Sequence, residues 1–187
     1  MDDIDLLSSV LKKTGDVIAG VGDEQLGLST PCPDFDVAML RNHIVAWLQV
    51  FEAGCHGRTF EGDPVKFEVG GEAAAQFRAV SDSIVAGWRE HGFDRTVKVM
   101  SGELPGRSVF NMTIMEYLTH GWDLAIATNQ TVPYTDDEAT RTLALAEVTL
   151  PDEYCGGAFG PRVEVAAAAT GLDQFVAFMG RQPSTRR

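Results

Sequence analysis

Apolar residues return at helical intervals along most of this chain, and the interruptions fall at proline, glycine and capping side chains. From Ile4 to Val21, the residues Leu7, Leu11, Ile18 and Val21 share one face, which predicts a first helix that Gly20 and Gly22 help to end. The stretch "LGLSTPCPDF" is a proline-punctuated connection in which Asp34 or Asp36 can cap a second helix, from Val37 to about Gly54. "GGEAAAQFRAVSDSIVAGWREHG" repeats the signal, with Ala73, Phe77, Val80, Ile84 and Trp88 on one side. In "DRTVKVMSGELPGRSVF", β-branched Thr96, Val97 and Val99 precede a Gly/Pro turn region, which reads as a short hairpin or an extended excursion. A fourth helix follows from about Phe110 to Thr128 and ends near Asn129. A fifth starts near Thr135, whose hydroxyl can cap the acidic turn "DDE", and the tail offers a short helix around Leu172 to Met179.

These elements predict a mainly helical (all-α), bundle-like architecture with an additional short C-terminal helix. With 187 residues, 44% of them hydrophobic, and no repeat, low-complexity tract or linker, the expectation is one domain over residues 1–187.

The fourth helix contains the stretch that asks for a chemical explanation, "EYLTHGWDLA". At about 100° per residue, with Glu116 at zero, His120 falls near 40° and Asp123 near −20°, so the three share a narrow stripe. Ile114, Met115, Tyr117, Leu118, Trp122, Leu124, Ala125 and Ile126 cover most of the remaining circumference, the pattern of a buried helix. A solvated polar face would normally carry both signs of charge, yet no Lys or Arg occurs in the 33 residues between Arg107 and Arg141. The stripe is therefore expected to face inward. An inward Glu116 must be protonated, hydrogen-bonded to a cation or bound to a metal, and its partner must come from another helix.

His43 on the second helix is the candidate. It lies amid Met39, Leu40, Trp47, Val50 and Phe51, with Arg41, Gln49 and Glu52 on the far side. It is either a hydrogen-bonded core histidine or, with Glu116 and His120, one of three ligands of a divalent ion that keeps a position open for water or substrate. Asp123 has four available roles: orienting an imidazole N–H, fourth ligand, general base, or a hydrogen bond to the loop before the second helix. Trp47 and Trp122 are either core or cavity wall, and His56 and His91 belong to helix ends at the surface.

Composition narrows the partners. A net charge of −12, from 15 Lys+Arg and 27 Asp+Glu, disfavours nucleic acid and anionic membrane surfaces. No apolar run approaches the roughly 18 residues of a membrane span and the acidic amino terminus is unlike a secretory signal, so the expected location is cytoplasmic. Cys32, Cys55 and Cys155 are odd in number and lack a C-x-x-C pair, which reads as buried or idle thiols.

"STPCPDFDVAMLRNHIVAW" and "EYLTHGWDLAIATNQ", with "FGPRVEV" and the final "GRQP", resemble segments of the mycothiol-dependent maleylpyruvate isomerase-like, or DinB-like, metalloprotein superfamily over about residues 30 to 183. The resemblance implies a DinB-like four-helix bundle in which His43, Glu116 and His120 hold zinc or nickel. It also implies chemistry with a low-molecular-weight thiol such as mycothiol, as isomerase cofactor or as nucleophile in S-transfer. A counterpart of the isomerase's separate carboxy-terminal domain is not found, and Asn129 stands where the family more usually has Gly, which a left-handed cap tolerates. The functional expectation is a metal-dependent transferase or isomerase acting on a thiol or electrophilic small molecule, with Asp123 as the candidate catalytic residue. A metal-dependent hydrolase and a non-catalytic ligand-binding or regulatory bundle are the alternatives. Pairing into a homodimer is compatible with such a bundle.

Overall fold

The computed structural model describes residues 2–151 and 160–183. Four long helices form the bundle: α1 (Asp3–Ala19), α2 (Val37–Cys55), α3 (Ala73–His91) and α4 (Gly106–Ala127). α1 packs on α3 and α4, and α2 packs on the same two, so the four close around one apolar core. An antiparallel hairpin, β1 (Thr96–Val99) and β2 (Gly102–Pro105), precedes α4 with Val97 opposite Leu104. α5 (Asp136–Thr149) lies against α4, and α6 (Gly171–Phe178) lies against α5. This is the mainly helical, DinB-like arrangement expected, with the hairpin resolving the ambiguity of "DRTVKVMSGELP".

The helix starts follow from capping chemistry. Asp36 accepts the Met39 N–H at 2.8 Å and fixes the first turn of α2. Thr135 and Glu138 form a reciprocal capping box on α5, and Thr170 caps α6. α4 ends at a left-handed Asn129, φ 56°. Its start lies four residues earlier than the periodicity indicates. Pro105 leads straight from β2 into the helix, and the Gly106 N–H donates to the Arg95 carbonyl at 2.7 Å, so the Pro-Gly pair opens a helix instead of a turn.

α4 is the central element, and its apolar girth is used on every side. Phe110, Ile114, Tyr117, Leu118, Leu124 and Ala125 are all fully buried. Gly121, the residue after His120, lies where the chain of α4 passes the Tyr134 hydroxyl, and a Cβ there would collide with it. That hydroxyl shares a 2.8 Å hydrogen bond with Thr14 and donates to the Tyr117 carbonyl at 3.2 Å, tying α1, α4 and the approach to α5 together. The glycine is thus a packing requirement next to the polar stripe.

Two side assignments on α2 need correction. Met39 is exposed instead of lining the core, and Glu52 is tucked inward, where it accepts from Arg58 and Ser83. α2 is covered by α3, α4, β1 and the 3-10 turn at Pro64–Lys66, so an angular count around its axis has no single solvated side to find. Cys55 is buried as expected, whereas Cys155 lies outside the described residues. Among the described residues no helix is long and apolar enough to cross a membrane.

Candidate metal centre

The i, i+4, i+7 spacing on α4 places Glu116, His120 and Asp123 in one inward row, and the contact of α2 with α4 brings His43 to its first member. His43 Nε2 lies 2.7 Å from Glu116 Oε1, and His120 Nε2 lies 3.4 Å from the same oxygen. The ligand atoms of the three residues all fall within 4.8 Å of one another. Donors bonded to one tetrahedral ion at about 2.0–2.1 Å stand about 3.3 Å apart, so these side chains need only small adjustments to share one. The donor set, two imidazoles and one carboxylate, suits a divalent transition metal.

The row grades from open to sealed. The side chains of His43 and Glu116 remain 23% and 20% exposed, whereas Asp123 is fully buried. Phe35, from the loop before α2, lies tilted with its ring centre 4.9 Å from that of His43 and edge-on 6.3 Å from that of His120, and the Trp47 ring lies 6.1 Å from His43. Trp122 belongs to the core. His56 and His91 sit together away from this site, their rings 5.7 Å apart, with the His56 ring against Ser83. An open cleft of about 1030 Å³ between α2 and α3, lined by Glu52, Arg58, Phe60 and Ser83 among others, includes none of His43, Glu116, His120 and Asp123.

His120 Nδ1 is 3.0 Å from Asp123 Oδ2. A proton on Nδ1 donated to that carboxylate leaves the Nε2 lone pair facing Glu116 and His43, the tautomer a metal ligand requires. Asp123 is in turn bound by Arg181, whose Nη2 donates to Oδ2 at 2.9 Å. Sequence reading missed Arg181. The signal was present: a buried carboxylate in a segment without basic residues requires a cation from elsewhere, and "GRQP" offers one. Cys32 was also missed as a neighbour, its sulfur lying within 4.8 Å of the ligand atoms of His120 and Asp123. Burial pushes its thiol pKa up, Arg181 pulls it down and Asp123 adds to the rise.

Burial opposes charge on Glu116, but the imidazoles of His120 and His43 more than offset it and bring its pKa down to about 2. Burial likewise disfavours a charged His120, while Glu116 and Asp123 outweigh it and raise its pKa. For metal-stripped protein the two shifts set opposite limbs. Glu116 contributes stability above its unfolded value of about 4.5 that is lost as pH falls towards 2, on the order of 3 kcal/mol. His120 contributes stability below about 6.5 that is lost as pH rises through its folded pKa. Urea midpoints measured in chelator should therefore peak between about pH 4.5 and 6.5, with a smaller acid limb in Glu116→Gln. A flat profile would contradict the pairing.

Comparison with known proteins adds a family. The sequence pattern of the family described as "Mycothiol maleylpyruvate isomerase N-terminal domain" matches residues 7–125, which include His43, Glu116, His120 and Asp123. Two uncharacterized proteins from two strains of Mycobacterium tuberculosis are each 30% identical over 168 residues, covering 88% of this chain and 90% of theirs. No solved structure matches.

Proposed function

Because the chain belongs to the mycothiol maleylpyruvate isomerase N-terminal domain family, we propose that it is a metal-dependent enzyme using a low-molecular-weight thiol of the mycothiol type, in S-transfer or isomerisation. The observation that carries the metal half is Glu116 Oε1 standing between Nε2 of His43 and Nε2 of His120. These three residues hold zinc or nickel, ions whose softness matches thiolate sulfur. Such an ion supplies Lewis acidity and favours the deprotonated form of a thiol.

The protein's own groups shape the rest. His43 and Glu116 form the side of the site that solvent reaches, so a small molecule approaches there past Phe35 and Trp47. Asp123 orients His120 through Nδ1. Metal-assisted hydrolysis would call on Asp123 as general base, but its carboxylate is sealed from solvent, with both oxygens bonded to Arg181 and one also facing His120. The thiol reading therefore has the better support. The location we propose is the cytoplasm, with residues 1–187 acting as one domain.

Protein purified without a His tag should carry about one divalent ion per chain. Adding a low-molecular-weight thiol to the cobalt- or nickel-substituted form should produce a sulfur-to-metal charge-transfer band. Absence of any ion, together with no affinity for added zinc or nickel, would leave a non-catalytic bundle with a hydrogen-bonded polar core. A bound ion whose spectrum ignores the thiol would turn the reading towards hydrolysis.

A further inference from the structure

The centre has a support that the family match does not reach. Residues 7–125 contain the row on α4 and its partner on α2, whereas Arg181 lies far beyond them, on the turn that follows α6. It is only 8% exposed, and its guanidinium is committed. Nε lies 3.2 and 3.3 Å from the two oxygens of Asp123, Nη2 donates to Oδ2 at 2.9 Å, and Nη1 donates to the Met179 carbonyl at 2.8 Å.

We propose that Arg181 is a positioning residue of the metal centre, holding the Asp123 carboxylate at the rotation where Oδ2 accepts from His120 Nδ1. The inference rests on the metal reading above. A carboxylate turns freely about its terminal torsion, which has broad minima, so a lone aspartate would not fix the plane of the imidazole it faces. The planar guanidinium bonds both oxygens and sets that plane. Fixing the acceptor fixes the proton on Nδ1, and so aims the unprotonated Nε2 at Glu116 and His43. Arg181 is too enclosed to meet a substrate and acts through Asp123.

The backbone at this point is built for the task. The Arg181 N–H donates to the Val176 carbonyl at 2.8 Å, closing the end of α6. Gly180 has φ 79°, and a Cβ there would come within 3.0 Å of the Gly160 backbone, so glycine makes the turn that points Arg181 towards α4.

The test is a cobalt titration of metal-free, untagged full-length protein, followed by ligand-field absorption, beside the melting temperature of each variant in chelator. Arg181→Met should weaken cobalt binding roughly 10–100-fold and alter the ligand-field bands, the usual consequence of losing an outer partner. Arg181→Lys, which keeps the charge without the fork, should recover part of the affinity. Leu172→Ala loosens the packing of the first turn of α6, at the opposite end from the turn that carries Arg181, and should lower the melting temperature while leaving the cobalt spectrum unchanged. Wild-type affinity and spectrum in Arg181→Met would overturn the inference. So would losses of affinity that merely track the loss of melting temperature in both Arg181→Met and Leu172→Ala. If Arg181→Met does not fold, the same comparison is read from Arg181→Lys. Wild-type protein that binds no cobalt overturns the metal reading itself and this inference with it.

Discussion

Replacing His43 with alanine is expected to leave a folded, helical protein that no longer retains a divalent ion. The imidazole is one of three candidate ligands whose atoms lie within 4.8 Å of one another, and the other two both come from α4. Without it, Glu116 and His120 would be left to hold an ion from one side only. The loss of affinity should exceed the roughly 10–100-fold that follows removal of an outer hydrogen-bond partner. The cost to folding should be far smaller. His43 is partly exposed and its hydrogen bond to Glu116 is its main polar contact, which puts the destabilisation at about 1–3 kcal/mol. Equilibrium dialysis against zinc and far-ultraviolet circular dichroism read the two quantities separately. A variant that keeps its zinc while losing helix would show that His43 is a core residue and not a ligand.

How much of this was legible in the sequence depended on the range of the interaction concerned. Caps were readable because Asp36 and Thr135 each act on the backbone N–H three residues away. The inward turn of the Glu116 row was readable because α4 carries its own burial signal on all its other sides. The start of α4 was not, since Pro105-Gly106 serves equally for a turn and for a helix entry, and the choice is made by the Arg95 carbonyl in the preceding loop. The orientation of Met39 and Glu52 failed for a related reason. α2 is packed on several sides, so its exposed positions are decided by where its neighbours stop and not by its own periodicity. Arg181 is the clearest case. Its pairing with Asp123 spans 58 residues and depends on α5 packing against α4 and α6 against α5, none of which a local pattern encodes. The need for a cation was visible, and its source was not.

The second large effect is expected at Asp123, and it separates folding from metal binding. Asp123→Ala leaves the Arg181 guanidinium inside the protein without its carboxylate. Breaking a buried ion pair from one side costs about 3–5 kcal/mol, a large part of the roughly 5–15 kcal/mol that holds a domain folded. For a chain of 187 residues that amounts to a fall in melting temperature of roughly 6–20 °C. If the unpaired charge is the cause, removing it should restore stability, because a buried pair replaced on both sides by apolar groups is often neutral. The double variant Asp123→Leu with Arg181→Met should therefore recover most of the urea midpoint lost in Asp123→Ala. It should not recover metal affinity, since His120 Nδ1 still lacks the acceptor that fixes its tautomer. A double variant as unstable as the single one would place the loss in packing and not in the stranded guanidinium. Full metal affinity in the double variant would remove Asp123 from the centre altogether, leaving His43, Glu116 and His120 to hold the ion unaided.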